Sequence, residues 1–383
     1  MDARLESIAE KVHAGLRLSA DDGMTMLRTR DIWTLGELAN HVRQKLHGRT
    51  TYYNVNRHIN YSNVCALSCK FCAFYRKKGD EGAYEYSVED IAKQAHEAAE
   101  AGATELHIVG GLHPFLPFSY YTDMLQAIRE AEPQLHIKAF TAVEIVHLAR
   151  IDKRGRDIAG VLKDLKDAGL GSLPGGGAEV FDDRVHDEAF KGKIRSDMWI
   201  EVHTESHRLG LMTNATMLYG HIESLEDRVH HFCLLRDAQD QAIDGDHPGR
   251  FQTIIPLPFF PDDSELEHLP GPSGLDNLRM LAVSRLMLDN FPHVKSFWPM
   301  QTVGVSQVAL DYGVDDVDGT VVWYDITKVG GASTHQEVTV RDLRYAIREA
   351  GYEAVERDTL YRRIKRDGAK WELETPAIPG VAR

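Results

Sequence analysis

The sequence predicts an α/β protein: a closed (β/α)8 barrel of the TIM type, with an N-terminal helical extension and a C-terminal extension. Its 383 residues are 43% hydrophobic, which is enough for one large core. After Thr50, short apolar runs alternate with helical segments, a pattern typical of parallel strands joined by crossover helices. About eight such units over roughly 270 residues favour a closed barrel over an open sheet. We therefore expect an extension over residues 1–50, a barrel over 51–330, and a helical appendage with a loose tail over 331–383.

The elements can be justified in chain order. In the first fifty residues Leu5, Ile8, Val12 and Leu16 recur at three- and four-residue spacing, which predicts an amphipathic helix. Beyond them, short apolar or alternating runs followed by glycine-rich or polar turns predict strands. These strand candidates are residues 52–59, 105–109, 135–140, 172–174, 211–216, 251–255, 294–298 and 316–321.

The helices between the strands carry start and stop signals. Ser87 with Asp90, and Ser224 with Asp227, form capping-box patterns ahead of apolar stripes. Gly169 follows the last apolar position of another helix, where a residue without Cβ commonly ends the helix. These signals place crossover helices between successive strands.

Composition excludes several classes of function. Lysine and arginine total 44 against 58 acids, a net charge of −14, so nucleic-acid binding is not expected. No apolar run approaches the roughly 18–20 residues that a membrane helix needs. The first 18 residues are charged and do not form a signal peptide. Four cysteines do not make a disulfide framework, so a cytoplasmic location is expected.

Three cysteines follow the first strand candidate. Cys65, Cys69 and Cys72 have the spacing C-x3-C-x2-C, and thiolates so close in sequence can converge on an iron–sulfur cluster. A structural zinc site would need a fourth ligand, and the chain has no second cysteine pair of that kind; three unrelated free thiols are the plainest alternative. The remaining Cys233 lies on a helical apolar stripe and is expected to be a buried hydrophobe. Three ligands leave one iron of a cubane open to a small molecule, whereas an electron carrier is expected to have a closed cluster.

This motif, with Phe71 directly before the last cysteine, resembles the radical S-adenosylmethionine (SAM) superfamily. The resemblance implies one 4Fe-4S cluster whose open iron chelates SAM, and a 5′-deoxyadenosyl radical released by one electron. It also implies that Gly110 and Gly111 present backbone groups to the methionine moiety, and that Glu144 contacts the cofactor. From the residues alone, the two glycines could equally form a turn, and Glu144 could simply cap a helix.

Three further loops are expected at the rim where barrel active sites lie. The glycine run at 174–179, including Gly176, would let backbone approach a ligand closely. Tyr219 and His221 are candidates for proton transfer or substrate orientation. His113, which follows the Gly110–Gly111 pair, is a candidate for the same roles. Each histidine could instead be hydrogen-bonded to a neighbouring loop.

Longer stretches resemble one branch of the superfamily, that of menaquinone biosynthesis by the futalosine route and of deazaflavin synthesis. Within this branch, Leu-Tyr-Gly-His at 218–221 and the form of residues 107–114 resemble the aminofutalosine synthases more than the sister dehypoxanthine futalosine cyclases. The matching stretches are residues 60–65, 69–74, 82–84, 107–114, 138–144, 174–179, 214–221 and 285–290.

The resemblance implies an adenosyl-transferring enzyme that forms a C–C bond. SAM would be consumed as a co-substrate, its adenosyl radical adding to 3-[(1-carboxyvinyl)oxy]benzoate. Aryl migration and decarboxylation would then give 6-amino-6-deoxyfutalosine, methionine and bicarbonate. Because this substrate carries two carboxylates, Arg285, Lys295, His113 and His221 are the candidate partners, although Arg285 could be a structural ion pair.

The expected partners are this small molecule and an electron donor such as flavodoxin or ferredoxin; the oligomeric state is left open. The sister cyclase reaction, an iron–sulfur electron carrier or redox sensor, and a zinc-binding structural module remain the competing hypotheses.

Overall fold

A computed structural model describes residues 2–321 and 337–374. Its central feature is a sheet of seven parallel strands in the order β2 to β8. The strands are β1 (Thr50–Asn54), β2 (Asn56–Ile59), β3 (Glu105–Ile108), β4 (His136–Ala139), β5 (Ser172–Leu173), β6 (Met212–Tyr219), β7 (Phe251–Pro258), β8 (His293–Val294), β9 (Asp316–Gly319), β10 (Glu353–Glu356), β11 (Ile364–Asp367) and β12 (Lys370–Leu373). The sheet curls, so that the TIM-type barrel predicted from the sequence is confirmed.

Helices surround the sheet. The described helices are α1 (Glu6–Ala14), α2 (Ala20–Arg28), α3 (Ile32–His47), α4 (Val88–Glu100), α5 (Phe118–Ala131), α6 (Ala142–Ile151), α7 (Ile158–Ala168), α8 (Asp183–Ala189), α9 (Ser196–Arg208), α10 (Leu225–Asp244), α11 (Gly274–Met287), α12 (Trp298–Gln301), α13 (Val303–Ala309) and α14 (Val340–Glu349). Of these, α4, α9, α10 and α11 contact the strands of the sheet. Ser87 and Ser224 form the predicted capping boxes, and Gly169 ends α7. None of the described helices is long and apolar enough to cross a membrane.

Two of the strand predictions need correction. The candidate at 52–59 is two strands in two sheets: β1 pairs in parallel with β9 and β10, and only β2 belongs to the seven-stranded sheet. The candidate at 294–298 ends at Val294, because Trp298 begins a short helix with proline in its first turn. The position of an eighth barrel strand is taken by β9, whose Asp316 forms a parallel bridge with Lys295 just after β8.

The terminal segments pack on the barrel. Helices α2 and α3 lie against α11, which places the N-terminal extension on the outer helical layer. The C-terminal segment is one helix followed by three strands, not only helical as expected, and its β10 pairs with β1. The tail predicted to be loose, residues 375–383, lies outside the described residues.

Candidate functional site

A cavity of about 310 Å³ opens at the C-terminal ends of the barrel strands. In such barrels this end carries the active site, because the loops that follow the strands meet there. The cysteine loop follows β2, a Gly-Gly turn follows β3, and a glycine run follows β5. The residues predicted from the sequence that line the cavity are Cys65, Cys69, Phe71, Cys72, Gly110, Gly111, Glu144, Gly176 and Lys295.

All three cysteines of the motif are free thiols. The loop that carries them is held from outside by Lys77, whose ammonium donates to the carbonyl oxygens of Cys65, Ala66 and Leu67 at 3.1, 3.2 and 2.9 Å. Leu112 N–H lies 3.4 Å from the Cys65 sulfur, which directs this sulfur toward the cavity. The hydrogen bonds of Lys77 and Leu112 therefore give this loop a fixed shape.

The spacing of the sulfurs distinguishes a cluster from a single ion. Among the described residues, only His47, His293 and Asp315 place three ligand atoms within 4.8 Å of one another. The three cysteine sulfurs are therefore spread more widely than the shell of one zinc ion, and a multi-iron cluster fits them better. Asp315 is already bonded to His293, to Arg285 and to the Val294 N–H, so His47, His293 and Asp315 form an ion-pair network rather than a metal site.

Burial controls the ionisation of the cysteine thiols. It raises the pKa of Cys69 to about 11 and also raises the pKa of Cys72, so both thiols are protonated at neutral pH until a metal replaces the protons. Lys193 lies beside them, paired with Glu179 and 5.0 Å from the centre of the Phe71 ring. Although burial lowers the pKa of Lys193, the charge of Glu179 raises it on balance, so this cation persists next to the sulfurs.

Glu144 caps a helix, as its sequence position allowed, and it also lines the cavity. One of its oxygens accepts from Thr141 N–H at 2.7 Å, which caps α6; the other accepts from Tyr61 O–H at 2.9 Å and from Gly110 N–H at 3.1 Å. Burial raises the pKa of Glu144 to about 7 against these hydrogen bonds. The carboxyl group is thus fixed at the cavity wall beside the Gly110–Gly111 turn.

The Gly110–Gly111 turn runs so close to the cysteine loop that a side chain does not fit. A Cβ on Gly111 would lie 2.3 Å from the carbonyl oxygen of Val64 and 3.1 Å from Cβ of Cys65. The Gly111 N–H also donates to Ser62 O at 2.8 Å, which ties the two loops together. Close approach of two backbones, and not only turn formation, therefore explains this glycine.

We expect Gly111→Ala to lower the free energy of unfolding by about 1–3 kcal/mol, because the added methyl must push the cysteine loop aside. The displacement should also lower the iron content after anaerobic reconstitution. Gly274→Ala is the matched control, since a Cβ there meets nothing within 4 Å. Urea denaturation and iron analysis of both variants test this, and equal behaviour of the two would contradict it.

Tyr219 and His221 are not among the residues that line the cavity, so the structure adds no support to the catalytic roles expected for them. The Tyr219 hydroxyl is fully buried and donates to Asn277 at 2.7 Å. The His221 ring folds back on its own loop, with Nε2 3.1 Å from the Leu218 carbonyl oxygen and Nδ1 3.3 Å from the Glu223 carboxylate. Both side chains therefore shape the loop after β6.

His113 and Arg285 also lie outside the cavity lining, so the structure does not support their expected contact with substrate. His113 accepts from the N–H groups of Phe115 and Leu116 through Nδ1, and its Nε2 lies 2.8 Å from Glu85. Arg285 is buried in a salt bridge with Asp315 and donates to Gly313 O at 2.9 Å. The structural ion pair was the correct alternative for Arg285.

Several cavity residues were missed in the sequence. Lys138 and His107 project from neighbouring positions of β4 and β3, and Asp318 lies in β9 opposite Lys295. Asp318 has a positive φ of 63°, a strained conformation for a residue with Cβ. Such strain often accompanies function, but it is not visible in the sequence. The only signal in the sequence was Lys138, a charged residue inside the strand predicted at 135–140.

Comparison with known proteins agrees with this geometry. The Radical SAM superfamily profile matches residues 59–235, and the CofH/MqnC C-terminal region matches residues 249–368. The chain is 45% identical over 368 residues to an aminodeoxyfutalosine synthase of Thermus thermophilus, covering 95% of this chain and 97% of that protein. The chain belongs to the aminodeoxyfutalosine synthase family of radical SAM proteins. The chain is also 41% identical over 377 residues to an aminodeoxyfutalosine synthase of Streptomyces coelicolor. That match covers 95% of this chain and 95% of the other protein.

A solved structure supports the fold. Methylornithine synthase superposes with a TM-score of 0.69 at 17% identity, covering 91% of this chain and 97% of that protein. Membership of the aminodeoxyfutalosine synthase family confirms the enzyme class and the barrel predicted from the sequence. It also agrees with the fit of the C-x3-C-x2-C motif to the 4Fe-4S cluster that characterises radical SAM proteins.

Proposed function

We propose that the chain catalyses the aminodeoxyfutalosine synthase reaction of menaquinone biosynthesis. In this reaction the adenosyl group of SAM is joined to 3-[(1-carboxyvinyl)oxy]benzoate, with uptake of one water, to give 6-amino-6-deoxyfutalosine, methionine and bicarbonate. One observation carries the proposal beyond family membership: Cys65, Cys69 and Cys72 line the same cavity as the buried cations Lys138 and Lys295. A cluster with SAM and an anionic substrate could therefore occupy one chamber.

The residues at the cysteine side of the cavity are suited to hold the cluster and SAM. Cys65, Cys69 and Cys72 would bind three irons, leaving the fourth iron for the amino and carboxyl groups of SAM. When bound, the reduced cluster supplies one electron to the sulfonium and so generates the adenosyl radical that adds to the substrate. The chain would position SAM through Phe71, the backbone of Gly110 and Gly111, and Glu144, and the substrate through the backbone of Gly176.

The remaining wall is suited to protect radicals. Leu257, Phe259, Phe297 and Met300 give it an apolar surface, and three of them are almost fully buried. Such a surface leaves few sites for water, which would otherwise compete for reactive intermediates. It also offers packing for an aromatic ring next to the charged end of the cavity.

The electron that first reduces the cluster must come from outside the chain; because loss of the carboxylate as bicarbonate returns one electron, the overall reaction consumes none. We propose a one-electron protein donor such as flavodoxin or ferredoxin, and a cytoplasmic location in keeping with a reduced cluster and free thiols. We also propose that the chain is organised in three parts: an N-terminal extension over residues 1–50, the barrel over 51–330 and a C-terminal extension over 331–383.

The fate of the adenosyl group tests the proposed function. Reconstituted, reduced protein is incubated anaerobically with SAM labelled in its adenosine part and with 3-[(1-carboxyvinyl)oxy]benzoate. We expect the label in an adduct with the mass of 6-amino-6-deoxyfutalosine, together with one methionine per adduct. Label found only in free 5′-deoxyadenosine would contradict the proposal and favour hydrogen abstraction, as in the sister cyclase reaction. Intact SAM would favour an electron carrier.

A further inference from the structure

The floor of the cavity is a network of buried charged groups. Lys138 and Lys295 are 3% and 2% exposed, and both line the cavity. The Lys138 ammonium is hydrogen-bonded to Glu105, and the Lys295 ammonium donates to Asp318 at 3.1 Å. The strand register places Lys138 beside His107, one residue before the end of β4. The floor therefore lies within the strands, whereas the cysteines lie beyond their C-terminal ends.

Hydrogen-bond donors are in excess at this floor. An ammonium group carries three N–H donors, and within residues 2–321 and 337–374 each of these two lysines makes one hydrogen bond. The second oxygen of Glu105 is already bonded, because it accepts from Thr359 at 2.7 Å. Up to four donors therefore remain for oxygen atoms of a ligand or of water. Buried polar groups are rarely left without partners, so this surplus indicates a ligand that accepts hydrogen bonds.

The charges of the floor are balanced, two lysines against two carboxylates, so it is the spare N–H donors that favour an anion. Burial lowers the pKa of Lys138, although the neighbouring Glu105 acts to raise it. A further negative charge nearby would stabilise the charged ammonium and so offset the free-energy cost of its burial. Both lysines lower the pKa of Glu105 and of Asp318 on balance, so the two acids remain ionised and hold the lysine side chains in place. His107 is kept neutral, since burial and its neighbours His58 and Lys138 lower its pKa.

We propose that Lys138 and Lys295 bind the ring carboxylate of an aromatic substrate, with Glu105 and Asp318 as their positioning residues. This inference rests on the proposed function, which fixes the direction of the substrate. The carbon that accepts the adenosyl group belongs to the enol ether, which carries the other carboxylate, so this end must face the cysteine side. The carboxylate that can reach the floor is then the one on the ring, while the ring packs against the apolar wall.

Binding of small probes tests the floor without turnover. Isothermal titration under anaerobic conditions compares 3-hydroxybenzoate, which has the ring carboxylate, with phenol, which lacks it. We expect 3-hydroxybenzoate to bind the wild-type protein at least roughly tenfold more tightly than phenol, since hydrogen bonds to ionised groups are the stronger class. Lys138→Met and Lys295→Met should each remove this preference, and Lys163→Met, at an exposed position, should keep it.

Each lysine variant leaves a buried acid unpaired, so the double variants Lys138→Met/Glu105→Gln and Lys295→Met/Asp318→Asn are measured as well. They remove both charges of a pair and should fold, as thermal melting will show, while still failing to prefer 3-hydroxybenzoate. Folded double variants that bind 3-hydroxybenzoate as tightly as the wild type would overturn the proposal.

Turnover separates the two carboxylates of the substrate. For 3-[(1-carboxyvinyl)oxy]benzoate, the double variants should raise KM by roughly 10- to 100-fold, whereas Lys163→Met should leave KM unchanged. For 2-phenoxyacrylate, which lacks the ring carboxylate, wild type and double variants should have equal KM values. An equal rise in KM for both compounds would mean that the floor holds the enol carboxylate. If the wild type forms no adduct at all, the proposed function fails, and the titration still decides whether the floor binds aromatic carboxylates.

Discussion

Cys69→Ala is expected to abolish cluster assembly and to reduce adenosyl transfer to background. Cys69 is 6% exposed and lines the cavity with Cys65 and Cys72. Two remaining thiolates are too few to hold a cubane with one open iron. Iron and sulfide analysis after anaerobic reconstitution, with visible absorption near 400 nm, measures the loss.

Cys233→Ala is the control for this prediction. Cys233 is a half-buried thiol on α10 and does not line the cavity, so its loss should leave about four irons per chain, as in the wild type. An intact cluster in Cys69→Ala would show that another side chain completes the site, and the assignment of the three ligands would be wrong.

Asp315→Ala is expected to lower the free energy of unfolding by about 3–5 kcal/mol, the cost of leaving a buried charge without its partner. The Asp315 carboxylate is fully buried and accepts from Arg285, from His293 Nδ1 at 2.6 Å and from Val294 N–H at 2.9 Å. Burial would raise the pKa of Asp315, but His293 and Arg285 lower it well below its usual value. The ion pair therefore stays charged at neutral pH. Chemical denaturation measures the loss.

The double variant Arg285→Met/Asp315→Leu is the matched control, because it removes both charges and should recover most of the lost stability. In the folded fraction of each variant, KM for the aromatic substrate should be unchanged, since Arg285 does not line the cavity. A loss below about 1 kcal/mol combined with a raised KM would restore Arg285 as a substrate ligand.

The parts of the fold that depend on local sequence were predictable. Capping boxes at Ser87 and Ser224, and glycines after strands, are short-range signals, so the alternation of strands and helices could be read directly. The break between β1 and β2 could not, because it depends on β9 and β10, which join from more than 250 residues away. A continuous alternating pattern over 52–59 contains no sign of that change of partner.

In the site, too, the features set by local sequence were predictable and those that depend on distant parts of the chain were not. The cysteine motif and the Gly110–Gly111 turn were predictable, since each is defined by consecutive residues. Lys138 was missed, because a lysine in a short strand is ordinarily expected to face solvent, and only closure of the barrel turns it inward. The orientation of His221 was not predictable, because the sequence cannot show whether a rim side chain faces the cavity or bonds to its own loop.

Electron paramagnetic resonance of the reduced protein tests the central claim, that three sulfurs hold a cluster whose open iron binds SAM. Anaerobically reconstituted wild-type protein, with about four irons per chain, should give the signal of a single reduced 4Fe-4S cluster. Addition of SAM should change the g-values of that signal, because its amino and carboxyl groups would become ligands of the open iron. Protein that binds no iron, or a cluster signal that SAM leaves unchanged, would contradict the account.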